Sequence, residues 1–213
     1  MVLSSILVRM HDMTGPEPDL TILFQIASGQ MGHFTSDQAH DVGVSRSLLH
    51  HHTRSGRFER VHRGVYRFRD FPSTPREEVT AAWLAVGKDA SVVSHESALD
   101  LLDLTDIIPY RIDLTIPRSR RYLRAPKDVT LHTTTRPISP NGTTIREGIR
   151  ITNATRTIVD VTESGLSEEH VQRAVDEALH IGLSAPNLLR NEAADRSQRV
   201  RDVIERAIEV VAT

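Results

Sequence analysis

GVSRSLLHHHTRSGRFERVHRGVYRF, residues 43–68, sets six arginines and four histidines against a single acid, Glu59. The full chain of 213 residues carries a formal net charge of −2, so this stretch runs against the average and its cations need a local reason. Ser45 is placed to cap a helix, accepting a hydrogen bond from the backbone of the first turn. At 100° per residue, Arg46, Ser47, His50, His51 and Arg54 share one arc of that helix, while Leu48, Leu49 and His52 share the opposite one. Gly56 suits the left-handed residue that ends a helix. Beyond it, Arg57–Val61 and Val65–Phe68 read as two short strands about a His62-Arg63-Gly64 turn.

Upstream, the pattern is that of a helix-turn-helix. Asp19 precedes LTILFQIAS, in which Leu20, Leu23, Phe24 and Ala27 fall at helical spacing. Thr35-Ser-Asp-Gln38 fits a capping box, with Phe34 and Ala39 placed as the hydrophobic staple across it. Gly43 then forces a tight turn into the third helix. Three helices followed by a cationic hairpin make a winged helix-turn-helix, whose third helix enters the major groove.

The candidate DNA contacts follow from that geometry. On the third helix they are Ser45, Arg46, Ser47, His50, His51 and Arg54, where Arg bonds guanine edges and Ser or His reaches bases or phosphates. On the hairpin they are Arg57, Arg60, His62, Arg63 and Arg67, with Arg69 just beyond, aimed at backbone phosphate or the minor groove. Five such cations would give a slope of log affinity against log salt of about −4 to −5. A metal site is the rival use of the histidines, but residues 50, 51 and 52 radiate over a wide arc, and no thiolate or spaced carboxylate completes a set. No metal and no cofactor is expected.

Charge elsewhere is patterned too. Residues 73–110 sum to −5, residues 111–150 to +6 and residues 153–213 to −4. Alternating basic and acidic territories suit a protein with one face turned to a polyanion. The basic territory centres on the loop between Pro117 and Pro126, where Arg118, Arg120, Arg121, Arg124 and nearby Lys127 surround Tyr122. That loop is a second candidate contact for DNA or for a partner.

Residues 73–87 read as a proline-led helix, Ser94-His-Glu-Ser97 as the capped start of another, and RIDLTIP, DVTLHTT and GIRIT as strands of a small sheet. Ser94, His95 and Glu96 are sequential neighbours at a helix start and cannot align as nucleophile, base and orienter. Arg156 and Asp160 lie at i and i+4 and read as a helix-surface or interhelix pair. The fold class is therefore α+β, with a leader over 1–16, a winged helix over 17–72 and a mixed helix and small-sheet domain over 73–213. No cysteine is present, no run of 18 apolar residues could span a bilayer, and a cytoplasmic protein is expected.

GVSRSLL, SGRF and RVHRGVY, followed by VVSHESALDLLDL, IDLTIPRSRR, GIRITNATRTIVDV and AVDEALHIG, resemble the AbiEi-type antitoxins of bacterial AbiE (type IV) toxin–antitoxin pairs, roughly over residues 18–185. The resemblance implies a winged helix that binds inverted repeats of operator DNA and represses its own operon. It also implies a C-terminal domain that counters a nucleotidyltransferase toxin, with or without a stable complex. Some relatives carry a PD-(D/E)xK nuclease, but the two lysines here, Lys88 and Lys127, lie in no such motif, and the toxins' own metal motif is absent. The chain is expected not to be an enzyme. The alternative is a one-component regulator whose C-terminal domain senses a ligand or dimerises.

Overall fold

The computed structural model describes residues 18–136 and 138–211; the expected leader over 1–16 lies outside the described residues. The chain divides into two compact units, one ending at Ala85 and one beginning at Val86. The fold class expected from the sequence, α+β with an N-terminal winged helix, is the one observed.

In the first unit, α1 (Leu20–Ser28) starts where the Asp19 carboxylate accepts the Thr21 and Ile22 amides at 3.0 and 2.9 Å. Leu23 and Ala27 are buried along its inner face. Phe24, expected in that stripe, is 47 % exposed, with its ring edge-on to Phe68 at 5.2 Å. Next come β1 (His33–Thr35), α2 (Ser36–Asp41) and α3 (Arg46–Arg54), then the hairpin of β2 (Phe58–His62) and β3 (Val65–Phe68). The capping box forms as the sequence implies: the Gln38 amide N–H bonds Thr35 Oγ1 at 3.1 Å, and the Thr35 amide bonds Gln38 Oε1 at 2.9 Å. The Gln38 side chain also exchanges two hydrogen bonds with the Gln30 amide, locking the turn before β1 to α2. The core is aromatic. Phe34, Phe58 and Phe68 meet at centroid distances of 4.9 to 5.3 Å, each such pair adding about 0.5–1.5 kcal/mol beyond its buried area.

The sheet of this unit has three strands in the order β1-β3-β2, all antiparallel. β1 was not expected, and its presence makes β3 the central strand. Arg67 on β3 is consequently buried at 6 % exposure. Its guanidinium donates to the Phe71 carbonyl at 2.8 Å and to Glu77 Oε2 at 3.0 Å, and Glu77 opens α4 (Glu77–Val86). This helix falls with the winged helix, so the first unit runs past residue 72.

Gly32 adopts a left-handed φ of +82°, and a Cβ there would sit 2.5 to 2.7 Å from atoms of Phe71. Gly56 has φ +81° with nothing within 4 Å. Gly32→Ala should therefore cost the first unit about 2 kcal/mol through backbone strain and displacement of Phe71. Gly56→Ala should cost about 1 kcal/mol through the backbone alone. Urea unfolding followed by the fluorescence of Trp83, the chain's one tryptophan, would order the two; equal costs would refute the close approach at Phe71.

The second unit holds a five-stranded mixed sheet in the order β6-β5-β4-β8-β7. Its strands are β4 (Val92–Val93), β5 (Ile112–Pro117), β6 (Val129–Thr134), β7 (Thr143–Arg146) and β8 (Ile149–Thr152). β5 and β6 run parallel, as do β4 and β8, while β4 and β5 and also β7 and β8 are antiparallel. The helices are α5 (His95–Leu101), α6 (Ala154–Ser164), α7 (Glu168–His180), α8 (Pro186–Ala193) and α9 (Gln198–Val211). Leu99, Leu114, Ile116, Ile149, Ile151 and Ile158 are buried where α5 and α6 pack and where the inner strands lie. Among the described residues no helix is long and apolar enough to cross a membrane.

Candidate nucleic-acid interface

The amide of Leu48 bonds Ser45 Oγ at 3.3 Å, so the cap that starts α3 is made by the residue the sequence assigns to it. The helix buries Leu49, half-buries Leu48 and His52, and leaves Arg46, Ser47, His50, His51 and Arg54 exposed. His52 sits edge-on to Phe58 at 5.0 Å. Burial against that core, then the charges of Arg57 and His51, push its pKa below the ordinary histidine value. It is thus a neutral packing residue on the inward arc. Ser45 is exposed as well, its hydroxyl 2.9 Å from that of Ser47.

On the hairpin, Arg57, Arg60, Arg63 and Arg69 are exposed and His62 is half-buried. Arg60 Nε reaches only the His62 carbonyl, at 3.4 Å. No ion pair or side-chain hydrogen bond among the described residues holds Arg46, Arg54, Arg57 or Arg63. These guanidiniums are solvated cations on one helix and its adjoining hairpin. Arg67 does not belong with them: a central-strand position and the Glu77 carboxylate take it out of the surface. The signal that could have found this was His33-Phe-Thr35, three residues able to pair as an outer strand, followed by an acid ten residues beyond Arg67.

In the second unit the loop after β5 exposes Arg118, Arg120, Arg121, Arg124 and Lys127. The Arg121 guanidinium lies 4.4 Å from the Tyr122 ring centroid and 2.5 Å from its hydroxyl. Arg111 fastens the far end of the loop by donating to the carbonyls of Lys127 and Val129 at 2.8 and 2.9 Å. Among the described residues no group of three or more His, Cys, Asp or Glu side chains could hold a metal ion.

Residues 22–69 match the family described as "Transcriptional regulator, AbiEi antitoxin". The match lies within the N-terminal unit alone. The matched segment runs from α1 to the end of the β2–β3 hairpin, so the similarity is to the winged helix. Over both units the fold is similar to the crystal structure of the RV2827C protein from Mycobacterium tuberculosis, at a TM-score of 0.55 and 15 % identity, covering 93 % of this chain and 83 % of that one. No curated protein matches the sequence.

Proposed function

We propose that the chain is the antitoxin of an AbiE-like pair that binds inverted repeats in its own operator, represses its operon, and counters a nucleotidyltransferase toxin. The observation that carries the DNA part is the exposed arc of α3, where Arg46, Ser47, His50, His51 and Arg54 stand together with no buried role to explain them. α3 lies in the major groove, and Arg57, Arg60, Arg63 and Arg69 of the hairpin neutralise phosphates alongside. The AbiEi-type N-terminal domain supports regulation of transcription and an antitoxin role. The toxin is the finer part of the reading, and its contact surface is the arginine loop around Tyr122 or another face of the second unit.

Arg46→Ala with His50→Ala should abolish specific retardation of the upstream region in an electrophoretic shift assay while leaving the unfolding midpoint of the first unit within about 0.5 kcal/mol of the parent. Unchanged retardation would refute α3 as the reading helix. With Arg67 withdrawn, four hairpin cations remain, and the slope of log affinity on log salt should be about −4.

The second reading, a one-component regulator that senses a small molecule, is favoured by one specific feature of the second unit, a polar cleft of about 450 Å³.

A further inference from the structure

That cleft lies wholly within the second unit. Its floor is a buried charge cluster. Arg156 Nε meets Asp160 Oδ2 at 3.2 Å, and an Arg196 amino group meets Asp160 Oδ1 at 2.7 Å; all three side chains are at least nine-tenths buried. Two buried guanidiniums thus share one buried carboxylate, with the half-exposed Glu163 and partly exposed Glu192 drawn onto Arg196 from the rim. Arg196 Nε is buried with no hydrogen-bond partner among the described residues.

One wall is a pair of imidazoles. His95 and His132 stack with centroids 3.6 Å apart and planes 14° apart. Each has one nitrogen already committed: His132 Nε2 to Asp113 Oδ1 at 2.7 Å, and His95 Nδ1 to Ser94 Oγ at 2.9 Å. His132 Nδ1 and His95 Nε2 are left over. The second wall continues along the end of β6 through Thr133 and Thr135 to Arg136, which spends one donor on the Asp195 carbonyl at 2.8 Å and keeps the rest of its fork. His95 holds a left-handed φ of +52°, a conformation a histidine adopts at a cost and one that recurs at ligand sites.

The cleft therefore sets the guanidiniums of Arg136, Arg156 and Arg196 beside the carboxylates of Asp160 and Glu163, with both Asp160 oxygens already bonded and N–H donors of Arg136 and one nitrogen of each imidazole left over. An apolar ligand finds no matching surface here. The serine at the edge is no nucleophile, because Ser94 is fully buried and its hydroxyl also bonds Thr115 at 2.8 Å. A planar carboxylate presents acceptors in one plane, whereas a tetrahedral phosphate presents them in several directions and can use donors that lie on a strand end and a helix start of the same cleft. The volume exceeds that of one such group and falls within the range of small-molecule sites.

We propose that the cleft of the second unit binds the phosphate group of a small phosphomonoester, held by Arg136, the free imidazole nitrogens and the threonines of the β6 end. Burial first, and the neighbouring His132 next, push the pKa of His95 down to about 4, so at neutral pH its free nitrogen serves the anion as a neutral partner. The assignment stands on the second unit alone and is independent of the DNA contacts of the first.

The test is a titration of the full-length protein with inorganic phosphate, glycerol 3-phosphate and acetate at constant ionic strength, following the assigned side-chain resonances of His95 and His132. Saturable shifts with glycerol 3-phosphate, weaker ones with inorganic phosphate and none with acetate are expected. Arg136→Gln should weaken the ester by at least about tenfold. His95→Asn, which keeps a residue tolerant of positive φ, should weaken it as well. Equal binding of the two phosphates would overturn the ester in favour of the free ion. Acetate binding as tightly as phosphate, no saturable shift, or an Arg136→Gln protein that binds like the parent would overturn the site.

Discussion

Arg196→Met should destabilise the second unit by about 3–5 kcal/mol, the cost of leaving a buried carboxylate short of its partner. Arg196 is 3 % exposed at its side chain and reaches Asp160, Glu163 and Glu192 at once. Burial by itself would lower the pKa of its guanidinium; the Asp160 charge and hydrogen bond, then those of Glu163, outweigh that and raise it. The cation is therefore held firmly, and most of the loss on removing it comes from Asp160, left at 6 % exposure with Arg156 as its remaining cation in the cluster. Asp160→Asn added to Arg196→Met should recover part of the loss, because the uncompensated charge goes with it. Hydrogen exchange at the amides of Ile116 and Ile151, both fully buried in the second unit's sheet, reports the opening free energy of that unit. A cost for Arg196→Met below about 1 kcal/mol, the range of an exposed pair, would show that the cluster is solvated.

The same cluster shows what a sequence does and does not reveal. The spacing of Arg156 and Asp160 is legible as an i, i+4 pair, but its burial is not, because the third member stands 36 residues further along and arrives only when the chain before α9 folds back. The winged helix is more legible because its signals are local. Thr35 and Gln38 close their box within four residues, Ser45 caps α3, and Gly43 and Gly56 take positive φ where turns were expected. What escapes is pairing between distant short segments. The three residues of β1 and the two of β4 carry no periodicity, yet β1 turns β3 into a central strand and β4 sits in the middle of the larger sheet. Two of the misread residues, Arg67 and Ser94, follow from this. Arg67 is covered because β1 exists. Ser94 opens α5 without a side-chain cap hydrogen bond, since its hydroxyl is drawn to Thr115, 21 residues away on β5, and to the His95 ring.

Acid should unfold the second unit before carboxylate protonation would account for it. His95 has its pKa lowered to about 4 by burial first, then by the His132 charge, with Asp160 and Asp113 opposing and Arg156 adding to the shift. In the unfolded chain the same group takes its proton near pH 6.5. Between these values the unfolded state binds more protons than the folded one, so stability rises with pH through that window. The contribution is fully present above about pH 6.5 and is lost by about pH 4, amounting to about 3 kcal/mol. His95→Asn removes the titrating ring while keeping a residue that accepts φ +52°, and its opening free energy should fall less steeply over this range. His33 and His52 are also lowered, but both belong to the first unit, so Trp83 fluorescence follows their acid response and exchange at Ile116 and Ile151 follows that of His95. Parallel pH profiles for the parent and His95→Asn at those two amides would mean that the imidazole is not desolvated in the cleft. A flattened one would show that burial in the cleft holds the His95 ring uncharged.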